Sequence, residues 1–125
     1  MALIMLVEDD IPSRTFMAEA LDEEGYQTIC VDDGVAALEA LAATRPSLII
    51  TSLMLPRMDG LTFCAHVQGN PATAAIPIVV CSASLDAPDP QSGGYDAFLA
   101  KPFDLSAFFQ LVAAYARRPA VGVGR

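Results

Sequence analysis

Five short apolar runs recur along the chain, and each turns polar at its carboxyl end. They are Ala2–Val7 before Glu8-Asp9-Asp10, Tyr26–Val31 before Asp32-Asp33, Leu48–Ile50 before Thr51-Ser52, Ile76–Cys81 before Ser82, and Ala97–Ala100 before Lys101. Helix-like segments separate most of them: Pro12–Glu24, Val35–Thr44, Leu61–Gln68 and a last helix opened by Asp104. Runs this short and rich in β-branched residues read as parallel strands covered on both faces. Strand and helix in alternation are the βαβ pattern of a parallel sheet with helices on either side. Sites in such sheets lie beyond the carboxyl ends of the strands. The chain should therefore gather Glu8, Asp9, Asp10, Ser52, Ser82 and Lys101 along one edge. The central stretch is Leu48–Gly60, a buried strand that ends at Ser52 and runs into a loop marked by Pro56 and Asp59-Gly60.

Punctuation supports these limits. Gly25 follows the first helix and Gly69-Asn70-Pro71 the third, as expected of helix ends. Phe16, Met17, Ala20 and Leu21 are expected on one buried face of the first helix. Leu38, Leu41 and Ala42 are expected inward on the second, and Leu105, Phe108, Phe109, Val112 and Ala116 on the last. Between Ser82 and Phe98, Pro88, Pro90 and Gly93-Gly94 argue for a loop, or one turn at most, from Ala83 to Tyr95. The Lys101-Pro102 bond is a candidate cis peptide.

With 125 residues the chain is one domain. A net charge of −8 argues against a nucleic-acid surface, and no apolar run reaches the ~20 residues of a membrane span. Met1–Val7 is too short for a signal peptide, which leaves the cytoplasm as the expected compartment. Cys30, Cys64 and Cys81 read as buried, reduced thiols, and His66, without a ligand partner at useful spacing, as a surface side chain. Glu8-Asp9-Asp10 has two readings: a solvated loop in which Asp10 caps a helix, or a hard-cation site built of carboxylate oxygens.

From residue 2 to 118 the chain resembles the receiver domains of two-component response regulators. The resemblance rests on Leu6-Val7-Glu8-Asp9-Asp10, Asp33-Gly34, Met54-Leu55-Pro56-Arg57-Met58-Asp59-Gly60, Ser82-Ala83 and Lys101-Pro102-Phe103, in order and at family-like spacing. It implies an α/β, flavodoxin-like (βα)5 doubly wound sheet in the order 2-1-3-4-5, here with the fourth helix shortened or replaced by loop, and a flexible tail over 119–125. It implies that Glu8, Asp9 and the backbone carbonyl of Met54 hold Mg²⁺, that Ser82 and Lys101 contact a phosphoryl group, and that Phe98 holds the aromatic switch position. The expected partner is a protein, a histidine kinase-like or downstream signalling protein, met by a monomer or weak dimer without nucleic acid or membrane.

One position breaks the pattern. The family's phosphate-accepting aspartate lies four residues before the loop proline, and here Ser52 stands there. Thr51 is no substitute, because strand alternation turns it to the other face. A carboxylate attacks already ionised, whereas a serine hydroxyl must first give a proton to a base. The lost carboxylate also removes a cation ligand, so Mg²⁺ should bind weakly or not at all, and Lys101 is expected to lean toward Asp9 instead. Three readings follow: a receiver-like module that signals through protein contacts without taking phosphate, a receiver phosphorylated on Ser52 by another kinase, or an ordinary phospho-receiver in which the serine is an engineered or recent replacement. No enzyme activity is expected, since no nucleophile–base pair is evident.

Overall fold

All five apolar runs become strands of a single parallel sheet, ordered 2-1-3-4-5. The computed structural model describes residues 2–83 and 94–116. Its elements are β1 (Leu3–Val7), α1 (Ile11–Glu23), β2 (Gln27–Val31), α2 (Gly34–Leu41), β3 (Leu48–Ser52), α3 (Gly60–Gly69), β4 (Ile78–Ser82), β5 (Ala97–Ala100) and α4 (Leu105–Ala116). The expected loop between Ala83 and Tyr95 falls on residues 84–93, and the expected tail on 119–125; both lie outside the described residues.

Burial follows position in the sheet. β3 and β4 are buried at every residue, as continuous apolar runs covered on both faces require. β2 and β5, at the edges, are half covered. Alternation along the strands divides the core in two. Ile4, Leu6, Leu48, Ile50, Val79 and Cys81 face Met17 and Leu21 of α1 and Phe108 and Val112 of α4. Met5, Val7, Ile49, Ile78 and Val80 face Ala37 and Leu41 of α2 and Phe63 and Val67 of α3. Phe63 and Phe108 are almost fully buried, and each contributes about 1.5–3 kcal/mol by leaving water.

Four side chains depart from the expected pattern. Leu105, expected on the buried face of the last helix, is 39% exposed, because it is the first residue of α4 and lies ahead of the turn that Phe108 anchors in the core. Phe16 is 49% exposed, because it sits on the border of the α1 stripe and turns toward the β5–α4 connection. Ala42 is exposed, because α2 stops at Leu41 and Ala42 is its C-cap. Cys30 is exposed, because β2 is an edge strand with one thinly covered side, so the three-thiol expectation holds only for Cys64 and Cys81. His66 is exposed, as expected.

Four aspartates open the four described helices. The carboxylates of Asp10, Asp33, Asp59 and Asp104 accept from the backbone N–H of Ser13 (3.0 Å), Ala36 (2.8 Å), Thr62 (2.9 Å) and Ala107 (2.7 Å). Each satisfies one of the donors a helix start leaves unpaired. Gly25 closes α1 at φ +89°, a conformation that a side chain would strain.

Candidate functional site

The register of the strands determines which polar residues meet. Glu8 shares the side of Leu6 in β1, and Ser52 that of Ile50 in β3, so both lie on the α1/α4 side of the sheet's carboxyl edge. The Glu8 N–H donates to the Val31 carbonyl (3.0 Å), extending the β1–β2 ladder by one residue. On the other side, the Lys101 N–H donates to the Ser82 carbonyl (2.8 Å) and continues the β4–β5 ladder. Lys101 then reaches back over the ends of β4 and β3, and its Nζ lies 2.6 Å from Glu8 Oε1. The expected partner, Asp9, is exposed, whereas Glu8 is only 3% exposed. The buried carboxylate has lost water from around its charge and gains more from an ammonium partner, which is why Glu8 rather than Asp9 holds the lysine. The second Glu8 oxygen, Oε2, accepts from the Asp10 N–H (3.1 Å).

Ser52 is buried at the end of β3, opposite Cys81 in register. Its carbonyl accepts from the Thr51 hydroxyl (3.0 Å), while Thr51 itself is fully buried toward the other face. Among the described residues no base hydrogen-bonds the Ser52 hydroxyl. Ser82 is buried at the end of β4. Phe98 is partly buried in β5 on the α2/α3 side, beside Val80. The Met54 side chain is 80% exposed on the loop after β3. Lys101-Pro102 is cis, as the sequence suggested.

Sequence reasoning missed how that loop is held. Arg57, at φ +67°, donates from Nε (3.0 Å) and Nη2 (3.1 Å) to the carboxylate of Asp33, the cap of α2. Hydrogen bonds from Ala36 and then from Arg57 hold the Asp33 carboxyl below the usual carboxylate range. Arg14 plays the matching part at β1: it donates to the Glu8 carbonyl (3.2 Å) and pairs with Asp32. Asp33-Gly34 and Pro56-Arg57 were visible as motifs, but nothing in either one indicates that they meet across 24 residues. A cavity of about 410 Å³ adjoins the site, walled by Phe16 and Met17 of α1 and by Lys101, Pro102 and Phe103.

The donor set suits a hard divalent cation poorly as it is arranged. Mg²⁺ takes oxygen ligands in near-octahedral array at about 2.0–2.1 Å. Glu8 has both oxygens engaged, Asp10 caps α1, and hydrogen bonds from the Ser13 hydroxyl and N–H lower its pKa. That leaves Asp9, the neutral Ser52 hydroxyl and the Met54 carbonyl. Among the described residues no cluster of three or more His, Cys, Asp or Glu side chains is gathered for a metal. Also among the described residues, no helix is long and apolar enough to cross a membrane.

Residues 4–113 match the family model described as "Response regulator receiver domain". Curated relatives include the transcriptional regulatory protein CseB of Streptomyces avermitilis, 30% identical over 92% of this chain and 49% of its own length. The response regulator MprA of Mycobacterium tuberculosis is 33% identical over 92% of this chain and 50% of its own. The chain thus spans about half the length of the curated relatives it matches. Among solved structures, a putative response regulator from Chloroflexus aurantiacus superposes with a TM-score of 0.87 at 28% identity, covering 94% of this chain and 98% of that one. The receiver domain of a sensor histidine kinase from Pseudomonas aeruginosa, solved with magnesium coordinated in its active site cleft, has a TM-score of 0.86 at 24% identity over 94% and 98%. At that identity the second likeness concerns the fold alone.

Proposed function

Because this chain belongs to the response regulator receiver domain family of two-component signalling, we propose that it is an atypical receiver, one that takes no phosphoryl group by the aspartate route and signals through contacts with another protein. The observation that carries this reading is the neutral hydroxyl of Ser52 at the carboxyl end of the central strand, with no base bonded to it among the described residues. Attack on a phosphoryl donor needs an ionised oxygen. Glu8, the nearest candidate base by topology, is engaged by Lys101 (2.6 Å) and the Asp10 N–H (3.1 Å). In this reading Ser52 stands at the acceptor position, Ser82, Lys101 and Phe98 at the phosphate-contact and switch positions, and Glu8, Asp9 and the Met54 carbonyl are the ligands of a weak Mg²⁺ site. The module spans residues 2–118 with 119–125 as a tail, works in the cytoplasm as a monomer or weak dimer, and meets a histidine kinase-like or downstream signalling protein. It is not an enzyme.

Incubation with acetyl phosphate and Mg²⁺, followed by intact-mass measurement, tests the reading. The unmodified chain is expected to gain no phosphoryl mass. Ser52→Asp restores an ionised acceptor within the Glu8, Ser82 and Lys101 constellation and is expected to be labelled. Stoichiometric labelling of the unmodified chain would overturn the reading, favouring phosphorylation at Ser52 or elsewhere in the cleft.

A further inference from the structure

We propose that the cavity between α1 and the β5–α4 connection is a binding site for a small, uncharged aromatic molecule of about the size of indole, carrying one hydrogen-bond donor. Its volume is about 410 Å³. Small-ligand sites occupy roughly 300–1,000 Å³ and are mostly apolar, with a few placed polar groups. Phe16, Met17, Pro102 and Phe103 are the apolar walls here. Two of them are held in place: Met17 is 2% exposed in the core, and Phe103 stacks on the buried Phe108 with ring centroids 5.2 Å apart. Phe16 is half exposed, and an aromatic guest would take that surface out of water. Flat rings suit walls of this kind, since they pack on aromatic faces and on a thioether alike. The polar walls argue against an ion. The Lys101 ammonium is already paired with Glu8 at 2.6 Å, and the Ser13 hydroxyl donates to the Asp10 carboxylate. A cation would meet the ammonium and an anion would meet Asp10, and either would give up water among apolar walls. The Ser13 oxygen, its proton directed to Asp10, keeps lone pairs that accept a hydrogen bond. The matching guest is therefore neutral and donates one N–H or O–H. The site stands whether or not Ser52 takes a phosphoryl group, and it gives the domain a chemical input other than phosphate.

Indole itself is the probe. Methyl labelling of the methionines places a reporter in the cavity wall, Met17, and others on the α2/α3 side of the sheet, Met5 and Met58. Indole is expected to shift the Met17 methyl signal saturably and to leave Met5 and Met58 in place. Phe16→Ala is expected to weaken indole binding about tenfold. Ser13→Ala is expected to weaken indole severalfold and to leave benzothiophene, which has the same shape but no N–H, unchanged. The proposal is overturned by a Met17 signal that does not move up to the solubility limit of indole, or by shifts at Met5 or Met58 instead. Unchanged indole affinity in either variant, or equal losses of indole and benzothiophene in Ser13→Ala, would also overturn it. So would tighter binding of N-acetyltryptophanamide than of indole, which would make the occupant an aromatic side chain of a protein partner. Should Phe16→Ala fold poorly, the methyl shifts of the unmodified chain and the Ser13→Ala comparison decide.

Discussion

Gly60→Ala should destabilise the domain although alanine is the better helix former. Gly60 opens α3 just after the loop from Ser52, and its N–H donates to the Leu53 carbonyl at 2.8 Å. A Cβ added there would lie 2.2 Å from the Ser52 carbonyl oxygen, 2.9 Å from Leu53 Cα and 3.0 Å from the Ser52 carbonyl carbon. Carbon–oxygen contacts ordinarily lie at about 3.3 Å or more, so the overlap is about 1 Å. All three neighbours are backbone atoms and cannot rotate away. Overpacking of this kind costs about 1–3 kcal/mol, and the immobile neighbours put it near about 3. Alanine returns at most about 1 kcal/mol through helix propensity. The net expectation is a loss of about 2 kcal/mol, or a fall in Tm of about 6–10 °C for a domain of this size. Urea unfolding with matched m-values and a thermal scan measure it. Gly69→Ala is the control: it lies at the other end of the same helix with nothing within 4 Å of the added Cβ, and should gain about 0.5 kcal/mol. The strain falls on the Ser52 backbone, so adding Gly60→Ala to Ser52→Asp should also lower labelling by acetyl phosphate. If Gly60→Ala is as stable as the unmodified chain, the close approach of α3 to the end of β3 is wrong.

Two further outcomes follow from the loops and the thiols. The Asp33 carboxyl titrates below its unfolded value of about 3.9, so its contribution is present above that pH and is lost as the pH falls through the lower folded value; Asp33→Asn should therefore be less stable than the unmodified chain at pH 7, with the gap in urea midpoint closing below about pH 4, and a gap that widens in acid would refute the Arg57–Asp33 clamp. Cys30 should be the single thiol to react with a maleimide in the native chain, since burial pushes Cys64 and Cys81 each up to about 12, and mass spectrometry should count one adduct before urea and three after it; rapid native modification of Cys64 or Cys81 would mean that the sheet and α3 are less tightly covered than described.

Periodicity determined most of the architecture. Five apolar runs with polar carboxyl ends specify the strands and the edge at which Glu8, Ser52, Ser82 and Lys101 gather, because the side-chain alternation of a strand and the short reach of βα connections leave few other arrangements. The cap of α1 at Asp10 and of the last helix at Asp104 was legible for the same local reason, a carboxylate one position before a helical stripe. Local pattern was silent wherever a residue lay on the border of a stripe or an edge of the sheet. The exposure of Phe16, Ala42 and Cys30 depends on which neighbouring element comes to cover them. Tertiary structure alone decided the charge pairs. Lys101 could have met Asp9 or Glu8, which are adjacent in sequence and equally charged. The choice of Glu8, 93 residues away, follows from burial. Burial is a property of the assembled sheet: β1 has neighbours on both sides, Glu8 extends its ladder, and Asp9 is left in solvent.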